Sequence, residues 1–110
     1  MLQRALYNYV KNAVRYGREN GRIVVRAWED EAFVRFSVYN EGDSIPEEEQ
    51  EKIWNVFYKI NQARTREQQS FGIGLSIVKQ AAEAHGGGVS VRNKADGVEF
   101  GLYIQRILKN

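Results

Sequence analysis

Two pairs of β-branched and aromatic runs, Ile23 to Ala27 with Phe33 to Val38 and Val89 to Arg92 with Val98 to Ile104, each follow a segment of helical period. The first pair is divided by the acidic stretch Glu29-Asp30-Glu31 and the second by the turn Lys94-Ala95-Asp96-Gly97, so each pair reads as neighbouring antiparallel strands. Apolar residues recur at three and four from Leu2 to Tyr16, through Ala5, Leu6, Tyr9, Val10 and Ala13, and Gly17 to Gly21 ends that helix. The same period returns from Gly72 to His85 through Ile73, Ile77, Val78, Ala81 and Ala82, and Gly86 to Gly88 stop it. Between them, Ser44-Ile45-Pro46 followed by Glu47, Glu48 and Glu49 predicts a further helix reaching about Val56. Proline suits the first helical position and acids suit the first turn. Asn61 to Gln69 is polar and without period, which predicts a mobile loop. This order of elements restricts the chain to an α+β fold, with helices on one face of a mostly antiparallel sheet.

Composition narrows the function classes. The 110 residues are 43% hydrophobic with a single proline, so residues 1–110 are expected to form one domain with a real core. No apolar run approaches the ~20 residues of a membrane span, and the first residues lack the pattern of a secretion signal. The absence of cysteine removes disulfides and thiolate chemistry and fits a cytoplasmic setting. Lys and Arg number 16 against 14 Asp and Glu, and the two signs are interleaved, which argues against a nucleic-acid partner.

Two motifs suggest a ligand. In SFGIGLSIVKQ, Ser70 to Gln80, glycines stand where a helix is expected to begin. Free N–H groups and the positive end of the helix dipole can hold a phosphate there. The spacing fits neither a dinucleotide fingerprint nor a P-loop, and for a lone GxG a tight turn with close packing is the commoner reason. Asn8, Asn12 and Arg15 follow at intervals of four and three, forming a stripe beside the apolar face of the first helix. Asparagine is a poor helix former, so two of them in mid-helix invite either a ligand role or a plain polar surface. An amide oxygen is also a reasonable ligand for a hard cation beside phosphates.

Four blocks in order carry a resemblance. NYVKNAVRYG (Asn8 to Gly17), NEGDSIP (Asn40 to Pro46), IWNVFYK (Ile53 to Lys59) and FGIGLSIVKQAAEAHGG (Phe71 to Gly87) resemble the asparagine, first glycine, phenylalanine and second glycine boxes of the catalytic, ATP-binding domain of sensor histidine kinases, in the GHKL ATPase superfamily. The resemblance covers nearly the whole chain. It implies a two-layer α/β sandwich with three helices packed on a mixed, mostly antiparallel sheet. It also implies ATP and Mg²⁺ as cofactors and a part in a two-component phosphorelay.

Position by position, the resemblance places Asn12 as the Mg²⁺ ligand, supported by Asn8 one turn earlier. Arg15 is the basic residue near the phosphates, and Tyr16 lies against the adenine. Asn40 accepts from the adenine amino group, and Gly42 and Ile45 shape the adenine pocket. Phe57 and Lys59 belong to the edge of a lid formed by Asn61 to Gln69, with Arg64 and Arg66 reaching the γ-phosphate. Gly72 and Gly74, with Ile73 and Leu75, let the polyphosphate approach the N-terminus of the last helix. Arg15, Lys59, Arg64 and Arg66 are thus the candidate catalytic charges.

Four positions depart from the family pattern. Asn40 stands where an aspartate is usual, which weakens the adenine contact because charge-assisted bonds are roughly twice as strong as neutral ones. Ser44 replaces the second glycine of the first box, and Ser70 and Phe71 replace a small residue and a threonine. His85, the single histidine, falls in the last turn before three glycines and reads as structural. The phosphoacceptor histidine is therefore expected on a separate helical hairpin of the same kinase, with a response regulator downstream. The isolated domain is expected to be a monomer without membrane contact, and the parent a homodimer that can be a membrane-anchored sensor. Two alternatives stay open: a docking or regulatory module that binds no nucleotide, and a serine kinase of the anti-sigma type.

Overall fold

The structure, a computed structural model, describes residues 2–55 and 66–106, and of residues 66–73 the backbone only. Helix α1 is Leu2–Tyr16, followed by strands β1 (Ile23–Glu29) and β2 (Phe33–Glu41). Two single 3-10 turns, Glu47–Glu49 and Lys52–Trp54, precede helix α2 (Arg66–Ala84) and strands β3 (Gly88–Asn93) and β4 (Gly97–Gln105). The strands form one sheet in the order β1-β2-β4-β3, antiparallel at every pairing among the described residues. The central register sets Val38 opposite both Val25 and Phe100, and Phe100 opposite Val91.

Strand alternation sends Val38, Val98, Phe100 and Leu102 toward the helices. There they meet Ala5, Tyr9 and Ala13 of α1 and Leu75, Val78, Ala81 and Ala82 of α2, and Ile45, Ile53 and Trp54 belong to the same core. The small alanines let the two helices approach each other and the sheet closely. Tyr9 is fully buried at the centre, where its ring tilts against Phe100 at 5.6 Å and Trp54 at 6.5 Å. Its hydroxyl donates to the Gly101 carbonyl at 2.6 Å, which satisfies the one polar atom this aromatic brings into the core. Burial pushes the Tyr9 phenol well above its ordinary pKa, so it remains a neutral donor.

The α+β sandwich on a mostly antiparallel sheet is as expected, every described pairing being antiparallel, and two other expectations are corrected. The helix expected from Ser44 to about Val56 is instead the pair of 3-10 turns. Pro46 does open the segment and the acids do come after it, but Glu47 to Glu51 contains no apolar residue, so an α-helix there would have no stripe to bury. Tight single turns instead bring Ile53 and Trp54 into the core, and the extended backbone of Asn55 (φ −77, ψ 144) ends the segment.

The last helix starts at Arg66, not at Gly72. Arg66, Glu67, Gln68 and Gln69 are good helix formers, and nothing before Gly72 interrupts them, so part of the stretch expected as loop is helical. At the other end Gly86 adopts φ +76, the Gly87 N–H reaches back to the Ala82 carbonyl at 2.9 Å, and the Gly86 N–H reaches Glu83 at 3.1 Å. This reciprocal pattern closes the helix and turns the chain into β3.

Candidate functional site

Helix α1 carries the first group of candidate residues. Asn8 and Arg15 are half-buried, while Asn12, expected beside the apolar face, lies within it at 2% exposure. The Asn12 Nδ2 has no hydrogen-bond partner, the one such buried side-chain atom among the described residues. An amide donor sealed away in this manner costs about 1–3 kcal/mol. A helix surface packed only for stability would hold an apolar residue there, so the orphaned amide makes Asn12 a candidate to meet a ligand.

Asn8, one turn earlier, donates from Nδ2 to the Gly74 carbonyl at 3.4 Å. A Cβ on Gly74 would lie 3.7 Å from the Asn8 Cγ. Gly72 and Gly74 are the seventh and ninth residues of α2, inside the helix and not at its N-terminus. A Cβ at Gly74 would therefore meet Asn8 only at ordinary contact distance, and the free N–H groups of the helix start lie earlier in the chain. Leu75, assigned to the ligand with them, is buried in the hydrophobic core.

The second group forms where the end of α1 meets the end of β2. The Arg18 N–H donates to the Glu41 carbonyl at 2.7 Å, which fixes this junction. Asn40 is 4% exposed, and its Nδ2 donates to the Glu41 carbonyl at 3.3 Å, leaving Oδ1 as the acceptor of that amide. Gly42 has φ +155, and a Cβ there would stand 3.3 Å from both the Tyr16 carbonyl and the Asn40 Nδ2, so a side chain would crowd the junction. Tyr16, Asn40 and Gly42 are thus brought together. Ile45 comes next on the loop, 7% exposed, with both main-chain polar groups bonded to side chains.

Phe57, Lys59 and Arg64 lie outside the described residues, as do the side chains of Arg66 and Ile73 and any contact of Gly72. His85, in keeping with a structural reading, sets its Nδ1 2.7 Å from the Ala81 carbonyl at the end of α2. No cluster of three His, Cys, Asp or Glu side chains that could hold a metal occurs among the described residues. Nor is any helix there long and apolar enough to cross a membrane.

Sequence reasoning missed Asn93 and Gln50, whose side chains hold Ile45. A signal for Asn93 existed. It comes after Val89 and Val91 at a spacing of two, so an amide occupies a position where the alternation calls for an apolar side chain.

Residues 1–107 match the family model described as histidine kinase-, DNA gyrase B- and HSP90-like ATPase. The chain is 38% identical over 109 residues to the probable sensor kinase SilS of Salmonella typhimurium, a match spanning 99% of this chain and 22% of that protein. Full-length ShkA, solved in complex with AMPPNP, superimposes with TM-score 0.78 at 30% identity, covering 94% of this chain and 21% of ShkA. Histidine kinase ThkA, solved with the response regulator TrrA, gives TM-score 0.75 at 35% identity, covering 94% of this chain and 28% of that one.

Proposed function

Because the chain belongs to the histidine kinase-, DNA gyrase B- and HSP90-like ATPase family, as the catalytic ATPase domain of a sensor histidine kinase, we propose that it binds Mg-ATP between α1, α2 and the loop after β2. On this reading it presents the γ-phosphoryl group to a histidine on a separate dimerisation hairpin. The observation that carries the proposal is the orphaned amide of Asn12, buried on the helix that also bears Asn8, Arg15 and Tyr16. In one orientation the amide offers a donor to a phosphate oxygen; turned by half a rotation, it offers its oxygen to a cation. Both partners are present in a magnesium–polyphosphate, so this residue fits the group.

Asn12 would hold the magnesium ion, which supplies charge neutralisation on the phosphates when bound. Asn8 steadies the adjacent wall through Gly74, and Arg15 offers a guanidinium to the phosphates. Asn40 accepts the adenine amino proton at Oδ1, and Tyr16 lies alongside the ring with Gly42 and Ile45 closing the pocket. Lys59, Arg64 and Arg66 add positive charge where the transferred group leaves, with Phe57 at the lid edge. Catalysis then rests on positioning and electrostatics, since the nucleophilic imidazole comes from the partner domain. ShkA with AMPPNP supports the nucleotide, and ThkA with TrrA supports a response regulator as the downstream partner.

Calorimetric titration of the chain with ADP and a non-hydrolysable ATP analogue, each with and without Mg²⁺, tests the reading. Magnesium-dependent binding is the expected result, and adding a phosphoacceptor hairpin should then yield phosphohistidine. Absence of binding under all four conditions would overturn the proposal in favour of a docking module.

A further inference from the structure

Asn93 is the last residue of β3 and pairs with Val98, yet its side chain serves a loop 48 positions earlier in the sequence. Its Oδ1 accepts from the Ile45 N–H at 2.9 Å, and its Nδ2 donates to the Ile45 carbonyl at 2.8 Å. A side-chain amide carries the same donor and acceptor as a peptide group, so Asn93 bonds to Ile45 much as a neighbouring strand would. Among the described residues no strand takes that place. Strand β2 ends at Glu41, and Pro46 has no N–H to continue a ladder. Two more bonds complete the hold: the Gly42 N–H donates to the Asp96 carbonyl at 3.0 Å, and the Gln50 Nε2 donates to the Ile45 carbonyl at 3.1 Å.

We propose that Asn93 is a positioning residue for the base end of the nucleotide site, acting through Ile45. The inference rests on the nucleotide reading above. Both main-chain groups of Ile45 are occupied by Asn93 and Gln50, so only the Ile45 side chain is available to a ligand, and its placement is set by the end of β3 and the turn beyond it. The phosphate end is built separately, from Asn8 and Asn12 on α1. Loss of the Asn93 amide therefore damages recognition of the base and leaves recognition of the phosphates intact.

The test compares adenosine, ADP and inorganic tripolyphosphate with Mg²⁺ on the whole chain, alongside hydrogen exchange of the Ile45 amide. Asn93→Ala should weaken adenosine and ADP about tenfold, a value in keeping with two modest hydrogen bonds, and leave tripolyphosphate unchanged. The Ile45 amide should exchange faster. Asn93→Asp supplies an internal control, because a protonated carboxyl has one donor and one acceptor like the amide, whereas the carboxylate would face the Ile45 carbonyl with two acceptors. In that variant the Ile45 N–H keeps its acceptor while the Ile45 carbonyl loses its donor, so adenosine binding relative to the wild type at the same pH should be weak at neutral pH and return on acidification.

Equal losses for all three ligands, or adenosine binding by Asn93→Asp that ignores pH relative to the wild type, would overturn the positioning role. Unaltered adenosine binding and Ile45 protection in Asn93→Ala would do the same. A wild-type chain that binds none of the ligands would instead overturn the nucleotide reading, while the exchange measurements would still decide whether Asn93 holds Ile45.

Discussion

Replacing Asn12 by alanine should make the ligand-free protein more stable, although the residue is buried at the heart of the fold. The side chain brings into the interior an Nδ2 with no partner, and removing that donor recovers about 1–3 kcal/mol of desolvation cost. Alanine is the better helix former by roughly 0.7 kcal/mol. Against this, a void of about 30 Å³ left by the amide costs about 0.7 kcal/mol at the usual ~24 cal/mol per Å³. The last two contributions cancel, leaving a net gain of about 1–3 kcal/mol, or a rise in Tm of roughly 5 °C or more.

With Mg-ADP present the order should reverse. A ligand at about 1,000 times its Kd stabilises the wild type by about 4.1 kcal/mol through binding to the native state. The variant should gain none of this. Calorimetric unfolding of both proteins with and without Mg-ADP measures all four quantities. A ligand-free variant that melts below the wild type would refute the reasoning, because it would mean the amide is satisfied within the fold. A variant that keeps the Mg-ADP gain would show that Asn12 holds no ligand.

Three other outcomes are expected. Tyr9→Phe removes the 2.6 Å bond to the Gly101 carbonyl inside the core and should cost about 1–2 kcal/mol in urea unfolding, with the slope unchanged; no change in midpoint would mean that bond adds nothing. Asp30 is held at a pKa of about 2 by the Arg35 guanidinium and the Phe33 and Ala32 N–H groups. Its folded pKa is depressed, so its contribution is present above the ordinary carboxylate range and is lost as pH falls toward 2. Asp30→Asn should flatten that acid limb of the Tm profile, and an unchanged limb would place the acid sensitivity elsewhere. Arg66→Ala should slow phosphotransfer to an added hairpin more than it weakens ADP binding, and equal losses would remove a γ-phosphate role for Arg66.

The boundaries of α1 and the pairing of β1 with β2 and of β3 with β4 were legible because each depends on a period that neighbours in the chain impose on one another. Leu2 to Tyr16 has one buried stripe, and the alternation of Val38, Phe100 and Leu102 admits one inward face. Local signals misled where they mark the beginning of an element but not its length. Pro46 and three glutamates open a turn, but whether the turn grows into a helix depends on an apolar face that Glu47 to Glu51 lacks. Gly72 and Gly74 looked like the start of a helix because glycine is a poor helix former, whereas four good formers carry the helix back to Arg66. Asn12 could be read from sequence as polar and on α1, but its burial without a partner depends on how the rest of the chain packs around it. The bonds from Asn93 to Ile45 belong wholly to the tertiary structure, since nothing within either strand or loop indicates that residues 48 positions apart will meet. Sequence period fixes which face of each element turns inward; only packing of those faces decides which main-chain and amide groups are left to find one another.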